Sequence, residues 1–485
     1  EIEILRAQIK ESEEKLDNLA TISEPAAASV TDLKRQVKNL EEESLSNWLS
    51  VGGEYQARVS SLRGETNPFI DVNATFANAQ MSAMTTGSPA LASLIGFDRG
   101  MRAATTFNDA RNFIAGNGGM AGIMGFIGPY AAPVAAYEPE NSSLFTHRVS
   151  LDLGIDVVQD VSFKAKFAMY KVFGSQSDAA LSNAGAAPFF ADRVGVFDGT
   201  VSHVPSDSRL NVDQVFVTWS NIADQDLWFS VGRRPSTGGS PSHLRTGDQA
   251  PGRGGVPSLL VDYAFDGMTI GYAPEIDALP GAFGKICYGV GFDSGFSRVG
   301  NSIEDTTMIG VTLVPIDTDP LRVWMQWNRG MDIFDAPEMR NTYFGDTAPS
   351  INLGDIDWLG LGVMSTFEQV GTGDLHLFAD WSRSRTNPNN NVSAQFGFQG
   401  LLTGGFFQPE APSNKTGTAI ALGLRYDFPL RTKIGFEYNR GSKHWITFAP
   451  AADDMWTSKF GTRGDVYEAY LIHELNRTPI ASRIS

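Results

Sequence analysis

Residue types that usually carry enzyme chemistry are sparse in this sequence and lie far apart. Among its 485 residues there is one cysteine, Cys287, and there are six histidines. A single cysteine excludes an intrachain disulfide and every site that needs several thiolates, such as a CxxCH haem attachment. The histidines form no HExxH motif and no GxSxG motif occurs, so the sequence indicates neither a zinc hydrolase nor a serine hydrolase. We expect a protein that is not an enzyme and holds no cofactor.

Charged residues at alternate positions of apolar segments are better candidates for a functional role. In residues 47–62, Val51 and Tyr55 fall on one side of a two-residue period, whereas Glu54 and Arg58 fall on the other. A soluble sheet buries its apolar face, but a membrane barrel turns that face to lipid and its polar face to a wet lumen. Because a lipid-facing charge costs about 2–4 kcal/mol at mid-membrane, the charged residues of such strands must face inward.

The inward charges predicted in this way would line a pore and filter solutes by charge. The alternative is that they pair across strands inside a filled barrel. The acidity of the whole chain favours the passage of cations, whereas a basic cluster at the narrowest point of the pore would favour the passage of anions. The predicted pore-lining residues are Glu54, Arg58, Arg148, Asp152, Lys164, Lys166, Arg234, Lys285, Arg322, Asp380, Arg425, Asp427, Lys433, Glu437 and Glu468.

Composition favours the membrane alternative. Charged residues make up 19% of the chain, below the roughly 25% of soluble domains, while its 50 glycines and 11% aromatic residues suit membrane strands. The net charge of −17 argues against a nucleic-acid partner, whose phosphates require a basic surface. The chain starts without Met and without a basic, apolar leader, so we expect a mature form that has lost an export signal.

Alternating segments long enough to cross an outer membrane predict an all-β transmembrane barrel of 14 to 16 antiparallel strands. Short and long connections alternate between them, as in bacterial barrels with long extracellular loops. The segment 259–265 is assigned to a loop because a strand there would reverse this alternation. The segment 443–449 is left over, and an extra hairpin would raise the count to sixteen. The fourteen segments are 48–62, 144–155, 160–172, 210–221, 226–234, 266–273, 283–293, 304–314, 320–331, 354–367, 373–386, 416–428, 431–441 and 464–475.

Residues 1–47 carry a heptad repeat instead. Pro25 interrupts it and would suggest a helical hairpin, but Val30 follows Ile2 by four whole heptads, so the register favours a parallel coiled coil. Such a coil implies an oligomer. The pattern of apolar residues favours a two-helix coil, and an attached barrel could impose a three-helix coil instead. The predicted core residues are Ile2, Leu5, Ile9, Leu16, Leu19, Val30, Leu33, Val37 and Leu40.

Two loops stand out. The insert at 63–143 has no charged residue between Val72 and Phe97, so it must pack against something: it plugs and constricts the pore, joins two barrels or forms an apolar cap. Glycines and prolines in the run 120–137 argue against a membrane helix. The loop at 331–354 is acidic and would attract cations or bind calcium, or is simply solvated; it contains Asp332, Asp335, Glu338 and Asp346.

The stretch VGGEYQARVSSLRGET, residues 51–66, follows directly on the coil. In this arrangement the chain resembles a family of outer-membrane porins of anaerobic proteobacteria that have a short N-terminal periplasmic coiled coil. The resemblance implies an outer-membrane location and contact with lipid and lipopolysaccharide. The layout is also similar to that of coiled-coil-tethered porins of other deep-branching bacteria, which implies assembly as a homotrimer. One departure is the C-terminus, because such barrels usually end on an aromatic residue, whereas here a polar tail follows the last predicted strand.

The sequence therefore predicts three regions: a periplasmic coiled coil at 1–47, an outer-membrane barrel at 48–476 and a tail at 477–485. The predicted function is a porin that passes small hydrophilic solutes or ions by passive diffusion. A first alternative is a plugged barrel that serves as an anchor, tethered to peptidoglycan through the coil. A second alternative is a sleeve around a separate redox protein.

Overall fold

The computed structural model describes residues 6–11, 48–174, 198–200, 205, 208–236, 244, 259–296, 303–342, 345–395, 404–449 and 459–475. Fourteen strands of this part form one antiparallel sheet in which neighbours in space follow one another along the chain. Their bounds are β1 (Leu49–Arg63), β4 (Glu140–Val158), β5 (Val161–Val172), β6 (Asn211–Trp219), β7 (Leu227–Pro235), β8 (Ala264–Tyr272), β9 (Phe283–Phe292), β10 (Thr306–Asp317), β11 (Leu321–Met331), β14 (Gly354–Val370), β15 (Gly373–Pro388), β18 (Thr416–Phe428), β19 (Thr432–Gly441) and β20 (Gly464–His473).

Six short strands form three hairpin-like ladders outside this sheet. They pair as β2 with β3, β12 with β13 and β16 with β17. All lie in the long connections, where the chain folds back on itself. Their bounds are β2 (Phe69–Asp71), β3 (Ala132–Val134), β12 (Met339–Thr342), β13 (Gly345–Thr347), β16 (Gly404–Gly405) and β17 (Gln408–Pro409).

Each of the fourteen predicted strands is confirmed, with ends that differ by a few residues. The alternation of short and long connections is confirmed as well. Short turns are sharp because single residues adopt left-handed backbone angles, such as Asp160 at φ 64° and Asn221 at φ 49°. Leu49 pairs with Ile155 and His473 with Thr432, so the sheet begins and ends at the short-turn end.

The two faces of the sheet have the opposite polarity from those of a soluble protein. Val51, Tyr55 and Val59 on β1 are each more than 60% exposed. On β18 and β19, by contrast, Arg425 and Lys433 point to the other face and are buried. The period-two division predicted from the sequence is therefore confirmed, with the apolar residues on the outer face.

The sheet is open along one seam, where a closed barrel was predicted. Within the described residues no ladder joins β1 to β20. A hydrophobic core packs under β8 to β18, and its members among the described residues do not extend under β1 to β6. The edge strands of the sheet are β1 and β20. Their directions suit closure, because β1 leaves the short-turn end and β20 returns to it, which makes them antiparallel.

The insert after β1 folds into four helices: α1 (Val72–Thr86), α2 (Ala90–Ala103), α3 (Phe107–Gly116) and α4 (Gly119–Ile127). The carboxylate of Asp71 accepts a hydrogen bond from Ala74 N at 2.9 Å and caps α1. Phe113 packs on Phe406 with ring centroids 5.9 Å apart, so the insert lies against the connection after β15. Of the three alternatives for the insert, these contacts favour the apolar cap.

The predicted absence of a spanning helix at 120–137 is confirmed, because α4 stops at Ile127 and a turn and β3 follow. No helix in the described part of the chain combines the length and hydropathy needed to cross a bilayer. Of the predicted coil, residues 6–11 are helical, with Ile9 buried and its neighbours exposed. The other eight predicted core residues and the tail at 477–485 lie outside the described residues.

Candidate functional site: the inward face of the sheet

Two segments that the sequence left unpaired meet on the inward face of the sheet. Val261 and Phe448 form a parallel bridge. Asp262 N donates to Phe448 O at 3.0 Å, and Phe448 N donates to Leu260 O at 2.9 Å. The prediction that 259–265 is a loop is right for 259–263 and wrong for Ala264 and Phe265, which begin β8. The segment 259–263 turns inward and meets 444–449, and we call these two segments the interior core.

Buried tryptophans attach the interior core to the wall. Trp358 of β14 donates its indole N–H to Ile446 O at 2.8 Å, and Trp445 donates to Phe460 O at 2.6 Å. Phe448 stacks on Phe265 of β8 with ring centroids 5.8 Å apart. Strands far apart in the sheet thus contact the same central segment, which shows that the inward face is concave. The expectation of a wet lumen is wrong on this side, because apolar side chains fill it.

Gly417 shows how closely the interior core approaches the wall. A Cβ at this position would lie 2.3 Å from Trp445 Cα and 2.3 Å from His444 O. We expect Gly417→Ala to lower the free energy of unfolding by about 1–3 kcal/mol, because backbone must shift to relieve the overlap. Urea titration of the protein in lipid vesicles, followed by tryptophan fluorescence, measures this. Gly291→Ala is the matched control, since its Cβ would meet only ordinary contacts at 3.6 Å and beyond. Equal losses in both variants would contradict the close contact.

The predicted pore residues of β15, β18 and β11 are engaged in buried polar pairs. Arg425 binds Asp427 through two hydrogen bonds of 2.6 and 2.9 Å. It also donates to Leu244 O. Asp380 accepts the indole N–H of Trp324 at 3.0 Å, and Arg322 lies 3.4 Å from Asp317. Leu244 follows β7 in the chain, and β7 ends at the long-loop end, yet Leu244 lies beside Arg425, which is near the short turn.

The remaining predicted residues on this side are paired as well. Lys459, in the connection after β19, bonds to Glu437 and to Glu468, the latter at 3.1 Å. Lys433 lies 2.7 Å from Glu474. Sequence patterns missed Lys459, Trp324 and also His376, whose Nε2 lies 3.4 Å from Asp427. A strand period shows the direction of a side chain and not which side chains of other strands and loops it meets. On the side from β11 to β20 the inward charges therefore hold the filled interior together.

The side from β1 to β6 is different, because its inward charges are more accessible. Glu54 and Lys164 are exposed and Arg58 is half-buried. Lys166 lies 3.6 Å from Asp152. A second, longer ion pair of 3.9 Å joins Arg148 to Asp213, a residue that sequence analysis missed. Asp156 shares this face of β4 with Asp152, so the group contains as many carboxylates as cations, and Arg58 and Lys164 are its cations without an ion pair among the described residues.

Between the two sides, β7 and β9 carry Arg234 and Lys285. The Arg234 guanidinium lies over the rings of Phe216 and Trp228, 5.5 and 5.7 Å from their centroids. Both cations line a cavity of about 60 Å³ on the inward face, together with Thr269 and other polar groups.

The acidic loop at 331–354 is organised by its own hydrogen bonds. Asp335 accepts from Ser350 N at 2.8 Å and from Ser393 Oγ at 2.8 Å, so its oxygens are occupied by donors. Burial and the nearby charges of Asp355 and Glu304 raise the pKa of Asp332. Among the described residues no cluster of three His, Cys, Asp or Glu side chains is arranged to hold a metal ion. Calcium binding here stays a prediction, with no geometry to support it.

Buried groups at the long-loop end complete the description. Tyr263 precedes β8 and donates its hydroxyl to Gly291 O at 3.3 Å, and burial raises its pKa to about 12. It therefore stays protonated at physiological pH. Burial and neighbouring cations lower the pKa of His444.

Comparison with solved structures returns outer-membrane proteins at very low identity. OmpT of Vibrio cholerae is 13% identical, with 86% of this chain and 96% of that chain covered and a TM-score of 0.30. OmpF of Salmonella typhi, in complex with daunomycin, is 10% identical, with 69% and 92% covered and a TM-score of 0.33. OprB of Pseudomonas putida at high pH is 10% identical, with 83% and 77% covered and a TM-score of 0.37.

The fold described above rests on strand pairing and burial, not on these likenesses. A search of curated proteins finds no significant match. Residues 138–485 match a family described as proteins of unknown function, DUF3373. Because this match spans more than half of the sequence, the chain belongs to the DUF3373 family.

Proposed function

We propose that this protein is an outer-membrane porin in which small hydrophilic solutes or ions diffuse along the inward face of the sheet. The observation that carries the proposal is the reversed polarity of the sheet: apolar side chains are exposed on the outer face and charged side chains are enclosed. In water this arrangement would leave a large apolar surface unburied, whereas in a bilayer the same surface is solvated by lipid. The proposal includes closure of β1 against β20, which an even strand count permits.

The diffusion path lies along β1 to β7. The interior core and its ion pairs fill the opposite side. Water and solutes therefore pass along the wall that carries Arg58, Lys164 and Lys166. Among the inward charges of this wall that form no ion pair in the described residues, the cations Arg58, Lys164 and Arg234 outnumber the carboxylates Glu54 and Asp156. A surplus of unpaired cations attracts anions and repels cations. The porin therefore prefers anions even though the whole chain is acidic.

The orientation follows from the connections. Bacterial barrels have short turns in the periplasm and long loops outside. Because β1 starts at the short-turn end, the coil at 1–47 projects into the periplasm, where it reaches peptidoglycan and brings three copies together. The outer face contacts lipid, and the cap formed by the insert lies near lipopolysaccharide.

Planar-bilayer recording of the purified, refolded chain tests the proposal. We expect discrete, long-lived conductance steps whose size rises with salt concentration, and a reversal potential in a salt gradient that shows anion preference. A chain that inserts into the bilayer but never conducts would overturn the porin assignment. A cation-selective reversal potential would overturn the proposed path along this wall of β1 to β7.

The plugged anchor is the second candidate, and the interior core is the observation that favours it. Replacing residues 444–449 with a glycine-serine linker of equal length removes the tryptophan and phenylalanine that anchor this core. For a porin we expect conductance to rise by about twofold or more, because the vacated space widens an existing path.

The control for this replacement is the same linker at 81–86 in α1, where Met81 and Met84 are exposed. It should leave conductance unchanged. A silent wild type that conducts only after replacement of 444–449 would establish the plugged anchor instead. The redox sleeve gains no support, because the chain's own residues occupy the space that a second protein would need.

A further inference from the structure

The cavity between β7, β9 and β11 contains an unbalanced positive charge. Arg234 and Lys285 both line it. Lys285 also lies within electrostatic range of Arg322. In the part of the chain that the structure describes, neither Arg234 nor Lys285 forms an ion pair, whereas Arg322 has Asp317 as its partner. Two cations therefore face one cavity without a carboxylate of their own.

This arrangement is unfavourable unless something offsets it. Removing a cation from water costs several kcal/mol, and like charges placed together add repulsion. Stacking on Phe216 and Trp228 stabilises the positive charge of Arg234 only at the flat faces of its guanidinium group. The Nε atom at the edge of this group is buried and has no hydrogen-bond partner. A negatively charged occupant of the cavity would offset both charges at once.

Uncharged polar side chains around the cavity also lack hydrogen-bond partners. Asn328 is 3% exposed, and its Nδ2 has no acceptor. Gln326 donates to Asn328 Oδ1 at 3.1 Å, which fixes the orientation of the amide and leaves Nδ2 available. Thr312 adds a buried hydroxyl to the lining, and Thr269 donates to the Sγ of Cys287 at 3.2 Å. The cavity thus offers N–H and O–H donors beside the two cations.

The size of the cavity restricts its occupant. Its volume is about 60 Å³. About 10–15 Å³ of such space holds one water molecule, so the cavity accommodates a small ion with at most a few water molecules. Hydrogen-bond donors and cations select for an anion of this size.

We propose that this cavity, between Arg234 and Lys285, binds one small monovalent inorganic anion of the size of chloride or nitrate. The anion neutralises the two half-buried cations and accepts a hydrogen bond from Asn328. The site is separate from the inward charges of β1 to β6, and its occupancy does not depend on whether the barrel conducts.

Thermal unfolding of the full chain in detergent tests the site without a channel assay. We expect the unfolding midpoint to be higher in chloride or nitrate than in gluconate at equal ionic strength, because a ligand that binds only the folded state stabilises it and gluconate is too large to enter. Lys285→Met should abolish this difference, and Lys285→Arg, which keeps the charge, should retain it. Lys443→Met removes an exposed lysine and should also retain it.

Crystals soaked in bromide locate the ion. We expect an anomalous peak between the Arg234 guanidinium and the Lys285 ammonium group in the wild type and none there in Arg234→Met. Equal unfolding midpoints of the wild type in chloride, nitrate and gluconate would overturn the site. A Lys285→Met variant whose unfolding midpoint depends on the anion as in the wild type would also overturn it. A bromide peak only at other positions would overturn it as well. Because neither readout uses conductance, failure of the porin proposal would leave these results unaffected.

Discussion

Replacing Arg425 with methionine is expected to lower the free energy of unfolding by about 3–5 kcal/mol, because it removes the charged, bidentate donor from a buried carboxylate. The Arg425 side chain is completely buried, and its bidentate contact with Asp427 is its main compensation. Arg425 also donates a hydrogen bond to Leu244 O, so the variant removes this contact with the connection after β7. Urea titration in lipid vesicles, followed by tryptophan fluorescence, gives the change in unfolding free energy.

Two further variants distinguish the loss of this buried ion pair from a nonspecific loss of stability. Arg440→Met removes the arginine of an exposed pair, 3.9 Å from Asp465, and should change the unfolding free energy by less than about 1 kcal/mol. Combining Arg425→Met with Asp427→Asn removes both charges and should restore part of the loss, since the buried negative charge that Arg425 offset is then gone as well. A loss for Arg425→Met no larger than that for Arg440→Met would contradict the structural role assigned to this pair.

Reversing the charge of Lys164 is expected to shift the permeability ratio of anions to cations toward cations. Lys164 is exposed on the inward face of β5, opposite Gly154 in the register, so its charge acts on the solution in the lumen. A unit charge about 4 Å from an ion contributes about 1 kcal/mol in water. That energy corresponds to about fivefold in ion occupancy, so Lys164→Glu should change the ratio severalfold.

Reversal potentials in a tenfold salt gradient measure this ratio. Adding Arg58→Glu to Lys164→Glu should shift the potential further in the same direction, because both residues belong to the wall along which the diffusion path is proposed. Arg111→Glu alters an exposed arginine of α3, away from the wall, and should leave the potential near the wild-type value. An unchanged potential in the double variant would place the diffusion path elsewhere.

The sheet was predictable because each membrane strand carries its own signal. In β11 the period of two separates Val323, Met325 and Trp327 from Arg322 and Gln326, and the structure places these sets on opposite faces. The predicted span of 320–331 differs from the observed Leu321–Met331 by one residue. Turn residues at the short connections and the alternation of loop lengths are equally local. Such features need no knowledge of what packs against the strand.

The interior was not predictable by the same reasoning. Whether an inward charge meets water or another side chain depends on loops that return from far along the chain. Glu437 and Lys164 have the same sequence signature, yet Lys459 reaches the first from a loop and the second stays exposed. The segments at 259–263 and 444–449 are separated by well over a hundred residues, and no local period indicates that they pair.

The sequence by itself therefore determined the strands, their faces and the alternation of their connections, because a bilayer imposes these on every strand separately. Only the tertiary structure decided which inward charges are bound in buried pairs, which segments fill the interior and where two cations are left without a carboxylate. The physical reason is that pairing, filling and charge balance are properties of contacts between distant segments, and such contacts exist only after the sheet has curved around them.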